Sequence, residues 1–403
     1  MKRIDGTSTA PADAPSQGLG RAWPGLLTLM LATFAAVTTE MLPVGLLPSI
    51  GAEFGLTESV TGLLVSLYAV MVAVLAVPLT LLTARLPRKA LLLATLAAYT
   101  VSNLVVALAP NVAIIATGRT LGGISHALFF SVAIGYATRL VSKENTGRAL
   151  AIASAGISAG FILGVPLGVS LGTALGWRAA FGALAVFIAA TLALAVVTLP
   201  PIAAAGLVRG IRRERVRSLV AVIATNGLVY LGHYTFFTYV SVLLLTSGAA
   251  PEAVGPWLLA FGVVGLLGLL IAARQLDTRP LASALVIVAL IAVGIAGVAL
   301  GYPALPLVIA AGLVWNFGFG PSASLFQAAA VHVGAVSPDL AGAWINAASN
   351  AGIAVGAVIG GLVLATGGIT AVAWTAAGIV VAAVVIVAAA PRAFAPQPFA
   401  PRA

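Results

Sequence analysis

The sequence has no cysteine, only three histidines, and charged residues at just 7% of its 403 positions. Without cysteine there are no disulfides and no thiolate metal sites, and the redox compartment stays undetermined. Soluble domains carry about 25% charged residues, so a water-soluble fold is excluded. A single core of this size would also have too little polar surface to cover it. Among the charged side chains the acidic ones are the scarcer, ten against twenty basic. Nine of the ten, Asp5, Asp13, Glu53, Glu58, Glu144, Glu214, Glu252, Asp277 and Asp339, fall in tails or between apolar runs, and only Glu40 sits deep inside one. There is no phosphate-binding Gly-Lys-Ser/Thr loop and no His-Glu-x-x-His, and His126, His233 and His332 are far apart, so neither a metal site nor a cofactor is expected.

What remains is apolar: 61% of residues are hydrophobic and the mean hydropathy is +1.14. Charges, Pro/Gly clusters and polar turns cut the chain into twelve candidate membrane spans. Their expected limits are 23–50, 59–83, 90–109, 112–140, 149–173, 177–199, 218–246, 255–273, 281–300, 304–333, 341–366 and 369–390. Residues 1–22 read as a flexible polar tail and 391–403 as a second tail. The first run is too long for a signal-peptide core. An all-α integral membrane fold of two six-helix bundles, 23–199 and 218–390, joined by a basic linker at 200–217, follows from this division.

The net charge of +10 sits in short loops rather than in one basic patch, which speaks for membrane topology and against nucleic acid. With a cytoplasmic N-terminus, the inside segments hold Lys2, Arg3, Arg21, Arg85, Arg88, Lys89, Arg139, Lys143, Arg148, Arg209, Arg212, Arg213, Arg215, Arg217, Arg274, Arg279, Arg392 and Arg402, 18 of the 20 basic residues. Arg178 falls outside and Arg119 within the bilayer. Both termini are therefore expected in the cytoplasm, in a multi-pass inner-membrane protein. One inside loop, Gly334 to Leu340, has no basic residue. The two halves echo each other: the fifth span carries Gly156, Gly160, Gly164, Gly168 and Gly172, and the eleventh Gly352, Gly356 and Gly360. Glycine at every fourth position leaves a groove in which another helix packs closely.

A carboxyl inside a span costs a few kcal/mol and is rarely decorative, so Glu40 is the expected proton-binding group. In the fourth span Arg119 and His126 are seven residues apart, which puts them on one face about 10.5 Å apart along the axis, with Glu40 between them in depth. Burial disfavours a bare carboxylate and a nearby arginine favours it, a balance that can shift between conformations. The competing reading is a static Glu40–Arg119 pair holding helices together. Asn226, Tyr230, His233 and Phe237 recur at helical spacing in the seventh span. Asn316, Ser324 and Gln327 lie in the tenth, and Asn346 and Asn350 in the eleventh. Such stripes either line a substrate path or serve as interhelical hydrogen-bond glue. His332, near the end of the tenth span, reads as a surface residue.

Twelve spans in two halves around a basic central loop resemble the major facilitator superfamily. The stretch Leu79 to Lys89 is similar to its basic loop motif, with Arg85, Arg88 and Lys89 matching and Thr80, Ala84 and Pro87 replacing its usual Gly, Asp and Gly. The corresponding loop of the second half keeps Arg274 and Asp277. Arg119 in GRTLGG resembles the fourth-span motif, whose arginine the resemblance implicates in proton coupling. Gly160 to Gly172 resembles the fifth-span motif of proton-driven antiporters, with Gly164, Pro166 and Gly168 in register. Thr38 to Ile50 resembles the first-span signature of arabinose- and sugar-efflux permeases, a group related to chloramphenicol exporters. The resemblance implies alternating access and proton-linked export of a small drug or sugar-like metabolite by a protein that is no enzyme and works as a monomer with protons and lipid as partners. Proton-coupled uptake, and a membrane-embedded enzyme or sensor, are the alternatives.

Overall fold

The computed structural model describes residues 19–142, 145–202, 212–273, 275, 279–336 and 338–394. The described chain is built of helices: α1 (Leu19–Phe54), α2 (Glu58–Leu82), α3 (Arg88–Ala107), α4 (Val112–Leu140), α5 (Thr146–Ala159), α6 (Val165–Leu175), α7 (Trp177–Thr198), α8 (Val216–Phe237), α9 (Val240–Thr246), α10 (Val254–Ala273), α11 (Pro280–Gly301), α12 (Leu305–Phe319), α13 (Ser322–Val333) and α14 (Pro338–Ala389). Among the described residues eleven helices are long and apolar enough to cross a membrane. The last of these, α14, turns at Gly368, whose φ of +71° only glycine adopts readily, so its two arms make twelve spans. The linker's residues 203–211, and Arg274 and Asp277 of the second-half loop, lie outside the described residues.

Three expected spans are broken. A π-helical turn, Gly160–Gly164, separates α5 from α6 immediately before Pro166, which has no N–H to continue the ladder. The tenth span breaks at Gly320 and Pro321, between α12 and α13. The seventh breaks at Thr238 and Tyr239, between α8 and α9, where the sequence carries neither proline nor glycine.

Both glycine ladders mark close helix approaches. A Cβ at Gly156, Gly160, Gly164, Gly168 or Gly172 would collide with Met30, Val37, Thr38, Leu42 or Leu46 in turn, so this face of the fifth span lies directly on α1. The ladder Gly352, Gly356 and Gly360 lies in the same way on α8 and the break after it, against Gly227 and Leu231, then Thr235 and Tyr239. The fifth span packs on the first as the eleventh packs on the seventh, the relation expected of a duplicated six-helix unit.

Hydrogen bonds tie the two halves together in the interior and at the end away from the basic loops. Ser59 Oγ donates to Gly361 O (2.6 Å), Ser241 Oγ to Val44 O (3.0 Å), and Tyr234 OH to Met41 Sδ (3.4 Å). The Val44 carbonyl is free because Pro48, four residues on, has no N–H to offer it. At the same end, within the first half, Arg178 pairs with Glu53 and donates to Ala109 O (2.8 Å), while Trp177 Nε1 donates to Glu53 (2.7 Å). At the opposite end Lys89 Nζ donates to Val196 O (2.8 Å) near the C-terminus of α7, where a cation is favoured. The neighbouring Arg88 is buried, and Arg85 is exposed.

Candidate functional site

The polar centre of the first half is assembled by glycine and proline. Gly118, Gly122 and Gly123 flank Arg119, and a Cβ on any of them would strike Ser102, Val106 or Tyr68. Helix α4 therefore lies tight against α2 and α3, and the Arg119 side chain reaches across to α1. There Pro43 cannot donate to the carbonyl of Thr39, four residues earlier, and that oxygen is left open in mid-helix. Arg119 Nη1 donates to it at 2.6 Å, Nη2 donates to Glu40 O at 2.9 Å, and Nε to Leu64 O at 3.2 Å. The guanidinium carbon also lies 4.2 Å from the centroid of the Tyr68 ring, a cation–π contact in a fully buried setting.

The static-pair reading is therefore corrected. Arg119 is bound to main-chain oxygens, and the Glu40 carboxyl is left to other partners. Glu40 Oε2 lies 3.8 Å from His126 Nδ1, while Oε1 is buried with no hydrogen-bond partner. His126 Nδ1 is also 3.0 Å from Tyr68 OH. The structure thus brings Glu40, Arg119 and His126 into one cluster, and adds Tyr68, Thr39 and Asn103. Asn103 Nδ2 donates to Thr39 Oγ1 (3.0 Å), and its Oδ1 has no partner. Tyr68 and Asn103 do not stand out in the sequence. Their signal was a tyrosine or asparagine in mid-span, which apolar patterning absorbs.

In the second half, His233 is packed among rings. It lies 3.4 Å from Phe319, centroid to centroid and nearly parallel, and 5.0 Å from Phe237, and its Nδ1 accepts from Trp315 Nε1 at 3.0 Å. Tyr230 stands 5.4 Å from Phe319 and 6.0 Å from Tyr234. The asparagine side-chain nitrogens at 226, 316 and 350 donate to protein, while Asn226 Oδ1 and Asn350 Oδ1 are buried without a partner. Asn226 Nδ2 donates to Ile345 O (3.1 Å) and Ser349 Oγ (2.9 Å), Asn316 Nδ2 to Gly312 O (2.9 Å), and Asn350 Nδ2 to Asn346 O (3.0 Å) and Oδ1 (3.2 Å). Gln327 is exposed and lies against Gly342 nearer the basic end, away from the rings. His332 is exposed too, beside Phe394.

A bundle of membrane-crossing helices in two related halves, with an acid, an arginine and a histidine clustered inside, is the architecture of a membrane transporter. The family model described as Major Facilitator Superfamily matches residues 29–342, and the chain belongs to that superfamily. It is 33% identical over 357 residues to a chloramphenicol efflux pump of Mycobacterium tuberculosis, covering 84% of this chain and 85% of that protein. It is 28% identical over 363 residues to a probable sugar efflux transporter of Mannheimia succiniciproducens, covering 87% and 90%. Among solved structures, the human organic anion transporter MFSD10 superposes with a TM-score of 0.71 at 18% identity, covering 92% of this chain and all of that one. The xylose transporter XylE from E. coli gives 0.71 at 13% identity, covering 91% and 97%, and these two likenesses speak for the fold alone.

Proposed function

We propose that this chain is a proton-coupled antiporter that exports a small organic compound by alternating access, with Glu40 as its proton carrier. The observation that carries the reading is the state of the Glu40 carboxyl: buried, 3.8 Å from His126, one oxygen without a partner, and not held by the nearby arginine. A carboxyl locked in an ion pair keeps its charge, whereas one left out of such a pair can take up and release a proton as its surroundings change. His126 then stands as the adjacent relay and Arg119 as the group that fixes α1 at this depth. The efflux names of the relatives support the export direction. In this reading 23–199 and 218–390 are the two moving bundles, the 200–217 linker and both termini face the cytoplasm, and the protein works as a monomer.

Glu40→Gln tests the carrier, because glutamine mimics the neutral acid and cannot release a proton. In proteoliposomes this variant should bind substrate and exchange it downhill in counterflow, and should lose accumulation driven by a pH gradient. Normal pH-driven accumulation by Glu40→Gln would place the coupling proton on another group and end this assignment.

A further inference from the structure

Resting on the export reading, we infer that the transported compound carries a planar aromatic ring and few hydroxyl groups, and that Tyr230, Phe319 and Phe130 grip it. A continuous run of contacts leads through the interior from one half to the other. Phe130 lies 4.7 Å from His126, His126 is 3.8 Å from Glu40, and the next residue, Met41, meets Tyr234 across the halves at 3.4 Å. Beyond Tyr234 the run continues to Tyr230 and Phe319. Tyr234 and His126 are buried, but the rings one helical turn further toward the basic loops, Tyr230 and Phe130, are only partly covered, as is Phe319 beside Tyr230. One turn is about 5.4 Å. Partly bared ring faces therefore flank the cluster on both sides, on the first-half wall from α4 and on the second-half wall from α8 and α12.

The hydrogen-bonding groups tell the complementary story. A free sugar needs several donors and acceptors aimed at its hydroxyls, since a polar group left unpaired in such a site costs binding. Here the amide N–H groups of Asn226, Asn316 and Asn350 and the Trp315 N–H are turned onto protein oxygens or His233, and only acceptors, Asn226 Oδ1 and Asn350 Oδ1, are left without a partner. Arg119 has three main-chain acceptors. These donors are thus already taken, whereas ring surface stays partly bare at Tyr230, Phe319 and Phe130, and rings prefer to stack offset or edge-to-face on another ring.

The test is equilibrium binding to the full-length protein in nanodiscs, read by tryptophan fluorescence, which Trp315 in the ring cluster should report. One panel holds chloramphenicol and other neutral nitro- and amino-aromatic compounds, the other arabinose, xylose and glucose. Saturable binding is expected from the aromatic panel at concentrations at least tenfold below any sugar. Phe319→Leu and Tyr230→Leu, which keep an apolar side chain but remove the ring, should each weaken that binding about 3- to 10-fold, and Tyr230→Phe should restore it. Equal or tighter sugar binding, no saturation by any aromatic compound, or unchanged affinity in both leucine variants would overturn the inference. The export reading fails separately: ring-dependent binding without pH-driven flux would sink proton antiport alone, and pH-driven flux of a sugar would sink the ring assignment alone.

Discussion

Arg119 is the residue whose surroundings say most, because its partners are main-chain oxygens that no side-chain substitution removes. Arg119→Ala leaves the Thr39 carbonyl with neither a helical nor a guanidinium donor, and a buried unpaired group costs about 1–3 kcal/mol. The expected outcome is lower thermal stability and loss of pH-driven transport, while Arg119→Lys keeps part of both because an ammonium can still donate to one of the carbonyls. The double variant Arg119→Ala, Pro43→Ala separates the two roles. Alanine at 43 returns an N–H to the Thr39 carbonyl, so melting of the purified protein should recover while coupling in proteoliposomes should not. Recovery of both would make Arg119 a packing element only. At this scale the sequence was partly readable. Charged groups in an apolar run stand out, which is why Glu40, Arg119 and His126 could be named. That the arginine would choose backbone over carboxylate could have been read only from Pro43, four residues after Thr39. Tyr68, Tyr99 and Asn103 escaped because a single such residue in a span looks like ordinary packing. The asparagines of the second half could be seen, but whether each faced a cavity or a neighbouring carbonyl depends on helix rotation, which spacing does not determine.

The helices themselves were legible because a bilayer leaves the backbone few options, and runs of about 20 apolar residues announce each crossing. The glycine ladders were legible too, since a residue with no side chain every four positions has one obvious use. The break at Gly320–Pro321 had a signal in its residue pair, whereas the one at Thr238–Tyr239 had none and arises from packing. The ladder makes a prediction for the fifth span. A side chain at Gly164 would run into Thr38 and Phe34, whereas Gly378 in α14 has no heavy atom within 4 Å of where a Cβ would stand. Gly164→Leu should lower transport severalfold at equal membrane abundance, through overpacking of about 1–3 kcal/mol. Gly378→Leu should leave it unchanged. Equal flux from both variants would show that the fifth and first spans tolerate separation.

Across the whole molecule, the basic residues predict a sidedness that the absence of native cysteine makes simple to check. A cysteine placed at Ser218 should be silent to an impermeant thiol reagent added to intact cells and reactive in inverted vesicles; labelling from outside would reverse the topology. At the end of the protein away from the basic loops the halves are joined by Ser59 on Gly361 O and Ser241 on Val44 O. The serine contacts join a hydroxyl to a peptide oxygen, and neither group gains or loses a proton at any pH a cell encounters. Removing Ser59 or Ser241 by alanine should shift the balance between closed and open forms about fivefold, the worth of roughly 1 kcal/mol. Reactivity of a single cysteine placed nearby would report that shift, and it should be the same at pH 6 and at pH 8. The latch is thus blind to acidity. If protons drive this machine, they act only through the interior, and the clasp follows the shape of the helices around it without ever sensing the gradient that moves them.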